Sequence, residues 1–215
     1  KNPLASLKSS NELLIQNKIE NKDKGLLLQN IEKDIEQMNR LISDISNYTR
    51  TQAEIEEELF SKFDLVELIE ELKNSFMINP KKIIIDFKFL ERPVYINANR
   101  EKLAQVFINI VNNSFSFSPA NSKILIDLQS QTNYVIIYFA DQGPGIELDL
   151  SEKIFERFYS DRPLEIVSSD EFHSGLGLSI SKKILDSFYG SINLVSYQPE
   201  GYKGACFEIK IPLKD

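Results

Sequence analysis

The chain has 215 residues, 42% of them hydrophobic and 27% charged, and a formal net charge of −7. This is the composition of a globular protein of one large or two small domains, and its acidic balance without a Lys/Arg block argues against a nucleic-acid binder. One cysteine, Cys206, and one histidine, His173, exclude an intrachain disulfide and a Cys/His metal centre. There is no run of roughly 18 apolar residues to cross a bilayer, and no signal-peptide pattern opens the chain.

Residues 1–58 hold one glycine and one proline, Gly25 and Pro3. Leu28, Ile31, Ile35, Met38, Ile42 and Ile45 alternate spacings of three and four, the seam of a long packed helix. A shorter amphipathic helix, about Lys1–Glu20, precedes it, with Leu4, Leu7 and Leu14 facing inward. Pro3 either opens or kinks that helix. Asn21-Lys22-Asp23-Lys24-Gly25 reads as the polar break of an antiparallel hairpin. Two helices with one seam cannot bury it alone, so a homodimer forming a four-helix bundle is expected.

The charged run Glu54–Glu58 marks the expected boundary, giving a hairpin over 1–58 and a second domain over 59–215. Asp64 can cap a helix over Leu65–Phe76. Strands are expected at Lys82–Leu90 and Val94–Asn97, and a helix from about Asn99 to Phe115. A hairpin follows at Lys123–Ser130 and Tyr134–Ala140, turning at Gln131-Thr132-Asn133. A helix over Leu178–Tyr189 stops at Gly190, and strands at Ile192–Tyr197 and Ala205–Ile211 close the chain. The fold class is therefore α+β, a helical hairpin followed by a mixed sheet covered by helices on one face.

The most informative stretch is Gln105–Pro119, QVFINIVNNSFSFSP. Most of its circumference is apolar, yet Asn109 and Asn113 lie four apart on one face. A buried amide without a partner costs about 1–3 kcal/mol, so the pair either bonds to neighbouring backbone or awaits a polar ligand. Seven of the eight glycines lie at 143 or beyond. Asp141-Gln142-Gly143-Pro144-Gly145 follows an apolar strand. Its carboxylate can accept from an exocyclic amine, and its glycines let a ligand approach the backbone. Gly175-Leu176-Gly177 opens a helix whose bare N–H groups suit a phosphate. Between them, Glu147–Ser174 shows little regular structure beyond Ile154–Phe158, the pattern of a lid. His173 ends that segment and reads as a solvated loop residue.

Asn109-x-x-x-Asn113, Asp141-x-Gly143-x-Gly145, Phe155-Glu156-Arg157-Phe158 and Gly175-x-Gly177-Leu178 occur in this order. Together they resemble the N, G1, F and G2 boxes of bacterial sensor histidine kinases of two-component systems. Lys1-Asn2-Pro3-Leu4 is similar to the end of the family's H box. The resemblance covers essentially the whole chain. It implies a dimerisation and phosphotransfer hairpin joined to a GHKL-type ATP-binding α/β sandwich. Asp141 would meet the adenine amine with Ile146 and Phe117 beside the base. Asn113, helped by Asn109, would hold Mg²⁺ against the phosphates of ATP. Gly143, Gly145, Gly175, Leu176, Gly177 and Leu178 would wrap the nucleotide, and Arg157 would reach its phosphates. Related chaperone, gyrase and mismatch-repair ATPases carry a water-activating Glu where this chain has Asn109, and an amide is no general base. The resemblance therefore implies a kinase rather than a hydrolase.

The phosphoacceptor histidine is expected three residues before Lys1, so autophosphorylation of this chain as it stands is not expected. Asn2 falls where the family orients water for dephosphorylating its partner, the receiver domain of a response regulator. Ser116 replaces a Lys that contacts phosphate, and Gly204-Ala205-Cys206-Phe207 lacks two hydroxyls found in the family's last strand. The alternative reading is a nucleotide-binding pseudokinase, or a phosphatase or scaffold module. The expected location is the cytoplasm, with the membrane reached only through segments outside this chain.

Overall fold

The computed structural model describes residues 3–15, 21–54, 60–77, 79, 81–89, 92–160 and 174–213. Asn2, His173 and the boundary expected after residue 58 lie outside them. Helix α1 spans Pro3–Ile15 and α2 spans Asn21–Glu54, and the two pack together. Pro3 is the first helical residue, where its missing N–H costs nothing. The expected break at Asn21–Gly25 is corrected: these residues form the start of α2. Asp23 in the first turn complements the positive helix end, and Gly25 costs only about 1 kcal/mol in a helix this long. Leu26, Leu28, Ile35, Ile42 and Ile45 stay exposed within the single chain.

Strand β1, Ser61–Asp64, was not foreseen, because its four residues bury only Phe63 and show no clear alternation. It pairs antiparallel with β3, Tyr95–Ala98. Helix α3, Leu65–Met77, begins where Asp64 was expected to cap it. Asp64 Oδ1 accepts from Val66 N and also from Val94 N, both at 3.0 Å, so one carboxylate fixes the helix start and the approach to β3.

The main sheet contains β2 (Ile84–Phe89), β4 (Lys123–Ser130), β5 (Tyr134–Ala140), β6 (Ser191–Leu194) and β7 (Cys206–Pro212). Their order is β2-β4-β5-β7-β6, parallel between β2 and β4 and antiparallel elsewhere. The mixed sheet is as expected, although the strand expected over Ile192–Tyr197 ends at Leu194. One face carries Ile126, Leu128, Ile137, Phe139 and Ile209. They form a core with Leu68 and Ile69 of α3, Phe107 and Ile110 of α4 (Arg100–Phe117), and Ile184 of α5 (Gly177–Ser187). The other face carries a polar row in register across all five strands: Lys88, Asp127, Tyr138, Glu208 and Asn193. Tyr138 donates to Glu208 Oε2 at 3.1 Å within it. Helices α3, α4 and α5 thus pack on the first face, and on the other Leu125, Ala140 and Cys206 form a small second cluster with Tyr202.

Candidate functional site

Helix α4 is held at both ends. Asn99 Oδ1 accepts from Lys102 N at 3.0 Å, an N-cap. At the other end Lys81 Nζ donates to the carbonyls of Phe115 and Ser116 at 2.8 Å and of Ser118 at 3.4 Å. A cation on otherwise unpaired terminal carbonyls complements the helix dipole. Leu103, Val106, Phe107, Ile110 and Val111 anchor the helix in the core. Each such burial contributes about 1.5–3 kcal/mol.

On this fixed rod the two asparagines divide. Asn109 Nδ2 donates to Gly177 O at 3.2 Å and to Ser181 Oγ at 3.3 Å, and Ser181 Oγ donates to Gly177 O at 2.9 Å. The backbone-bonded alternative therefore describes Asn109, which ties α4 to the first turn of α5. Asn113, one turn on, is half-buried, and no side-chain hydrogen bond joins it to the described residues. Its amide oxygen is the kind of hard donor Mg²⁺ takes, with phosphates and waters supplying other ligands. Among the described residues no three His, Cys, Asp or Glu side chains form a metal cage, so any divalent ion here depends on such outside ligands. Ser116 is buried, only 3% exposed, and its carbonyl serves Lys81.

Asp141 sits at the end of β5, 3% exposed. Its Oδ1 accepts from Gly143 N at 2.9 Å and Ala205 N at 3.0 Å. Main-chain bonds Asp141 N–Ala205 O and Gly204 N–Asp141 O lock the same turn to the approach to β7. Gly204 is obligatory, since a Cβ there would collide with Asp141 Oδ1 and lie 2.6 Å from Gly143 N. Two backbone donors thus consume one carboxylate oxygen, and among the described residues no backbone N–H reaches Oδ2. Burial pushes the Asp141 carboxyl above its usual range, opposed by the two N–H groups and by the nearby Ser114 hydroxyl. Ser114 acts there by proximity, because its Oγ completes no hydrogen bond. The α4 end packs on this turn: a Cβ on Gly143 would lie 3.2 Å from Phe117 O. Phe117 and Ile146 are both half-buried, and Gly145 has φ of +80°.

The phosphate-end candidates gather at α5. No side chain of the described residues caps this helix, whose N-cap is Leu176, so its first N–H groups are placed to receive an anion. Gly175 has φ of +71°, and a Cβ there would meet Tyr159 O at 2.6 Å. Phe158 N donates to Gly175 O at 3.1 Å, and Phe158 itself has φ of +63°. The backbone at Phe158 is therefore stitched to the backbone at Gly175. Arg157 is exposed beside that stitch, and Leu178 is half-buried in the first turn of α5. Sequence reasoning missed Ser114, Lys81 and the Ala205 N–H. Only Ser114 left a signal there, a hydroxyl directly after Asn113.

Helix α4 thus meets both the carboxylate turn, at Gly143, and the start of α5, at Gly177. The chain belongs to the Histidine kinase-, DNA gyrase B-, and HSP90-like ATPase family, whose model matches residues 98–215. It is 34% identical to sensor protein ChvG of Rhizobium meliloti over 99% of this chain and 38% of that protein, so it spans little more than a third of that relative's length. The solved catalytic domain of histidine kinase ThkA is 30% identical with a TM-score of 0.62, covering 72% of this chain and 98% of that one. ThkA in complex with response regulator protein TrrA has a TM-score of 0.68 at 24% identity, covering 99% of this chain and 58% of that one, a likeness of fold. The expected α+β fold with its mixed sheet and the resemblance to sensor histidine kinases both stand.

Proposed function

We propose that this chain is the catalytic region of a sensor histidine kinase that binds Mg-ATP. The γ-phosphoryl would pass to a histidine expected three residues before Lys1, on the segment that leads into α1, and onward to an aspartate of a response-regulator receiver domain. The observation that carries the reading is Asp141: a buried carboxylate whose Oδ1 is held by two backbone N–H groups while Oδ2 is left for a ligand amine. Phe117 and Ile146 would flank the base. Asn113 would hold Mg²⁺, which shields phosphate charge during transfer. Asn109 would set α4 against Gly177, and Gly175, Gly177 and Arg157 would receive the phosphates. The exposed seam on α2 supports a homodimer. Asn2 would orient water for dephosphorylation, and the likeness of fold to ThkA, solved with response regulator protein TrrA, supports a receiver domain as partner. Location in the cytoplasm follows from the same reading.

Buried Ser116 favours the competing reading, a module that binds nucleotide and acts on its regulator without efficient transfer. A longer chain that includes the segment before Lys1, incubated with labelled ATP, separates the two. Acid-labile label that is lost on Asn113→Ala and on Asp141→Ala is the expected result. Tight Mg-ATP binding without transfer would select the module, and unchanged binding in both variants would sink the nucleotide reading.

A further inference from the structure

Serines inside helices usually satisfy their hydroxyl on a carbonyl of the preceding turn. Three serines of α5 do so: Ser179 on Leu176 O, Ser181 on Gly177 O and Ser187 on Ile184 O, at 2.7–2.9 Å. Ser114 of α4 does not. It is 1% exposed, and its Oγ has no hydrogen-bond partner among the described residues. An unpaired buried hydroxyl is retained at a cost, so it asks for a partner the protein itself does not provide. The position supplies one. Ser114 lies one turn before Phe117, whose carbonyl packs on the Gly143 turn. The hydroxyl is also close enough to Asp141 to influence its carboxyl.

We propose that Ser114 is a specificity-determining residue that reads the ring nitrogen beside the exocyclic amine of the bound base. The inference rests on the nucleotide reading of the site. Asp141 Oδ2 accepts the amine, and Ser114 Oγ–H donates to the adjacent ring nitrogen, directly or through one water. Adenine offers this donor-and-acceptor edge. Guanine offers the reverse, a carbonyl and a ring N–H, which sets its carbonyl oxygen against the carboxylate. Ser114 thereby adds a second, independent element of base choice, one that becomes hydrogen-bonded only when the ligand is present.

The test uses the full chain, calorimetric titration, and the Mg²⁺ complexes of ATP, GTP and 1-deaza-ATP, which lacks the ring nitrogen but keeps the amine. Wild type should bind ATP about tenfold tighter than 1-deaza-ATP, the worth of about 1.4 kcal/mol, and should bind GTP weakly. S114A should lose about tenfold for ATP and treat ATP and 1-deaza-ATP alike. Without ligand its thermal midpoint should rise by about 2–4 °C, because an unsatisfied buried group has been removed. Equal wild-type affinity for ATP and 1-deaza-ATP overturns the proposal without any variant. So does discrimination retained in S114A, and so does a lowered midpoint, which would make Ser114 a contact of the fold. D141N distinguishes the two levels. If D141N binds ATP as tightly as wild type, the reading of the base pocket fails and this inference with it. If D141N loses ATP while S114A still discriminates, Ser114 alone is excluded.

Discussion

Asp141 must be ionised to accept an amine, and burial has made ionisation harder. The sign of the pH dependence follows. As pH falls through the raised value the carboxylate is protonated, so nucleotide affinity should decline above the ordinary carboxyl range near 3.8. The empty fold behaves oppositely. A pKa raised on folding contributes stability that is fully present below the unfolded value and lost as pH rises through the folded one. Titrating Mg-ATP between pH 7 and 4.5 against the Asp141→Asn variant isolates this effect from phosphate ionisation. A variant that follows the wild-type profile would refute it. Cys206 makes a second residue-scale case. Burial first, and then Asp141, Glu208 and Asp127, push its thiol up to about 12, so it stays protonated at neutral pH. Iodoacetamide should label it slowly in native protein and readily in denaturant, and equal rates would contradict its buried, inert state.

At the scale of elements, helix α4 depends on a residue far from it in sequence. Lys81 precedes β2, yet its ammonium spans the terminal carbonyls of α4. Replacing it with methionine should destabilise the fold by about 1–2 kcal/mol, within the range for a charged group on helix-end carbonyls. Lys81→Arg should recover part of this, because the charge remains while a planar fork meets the three oxygens less well. Denaturant midpoints for the three proteins check it, and a methionine variant matching wild type would end the assignment. The contrast with Asp64 explains what sequence can show. Asp64 acts on Val66, two residues away, and was legible from local pattern. Lys81 acts across more than thirty residues, and no periodicity encodes such a contact. The same limit hid the Ala205 N–H that orients Asp141. The β4–β5 hairpin was legible to the residue, since alternating apolar positions and a polar turn are local signals. The Asn21–Gly25 break misled because polar residues mark both a turn and the first turn of a helix.

For the whole molecule, the balance of apolar surface is uneven. Residues 60–213 bury a continuous apolar core, whereas α2 leaves Leu28, Ile35, Ile42 and Ile45 exposed along one seam. A self-associating four-helix bundle would cover them. Sedimentation should give a dimer at tens of micromolar, and Ile35→Glu with Ile42→Glu should shift it toward monomer without unfolding residues 60–213. A wild-type monomer at that concentration would count against the arrangement. Fold class was readable because the hydrophobic pattern covers whole elements. The separate fates of Asn109 and Asn113 were not readable, because identical side chains one turn apart differ only in what α5 brings to them.

The stitch between Phe158 and Gly175 has a consequence in the language of polymers. Because it joins the chain on either side of residues 159–174, that stretch is a closed loop with its ends already paired. Closing such a loop costs entropy that grows only logarithmically, about 0.6 kcal/mol for each doubling of length. The contour between the stitched residues can therefore lengthen or shorten by several residues while the sheet and the α5 end keep their register. A length polymorphism between Phe158 and Gly175 would therefore be nearly neutral for folding.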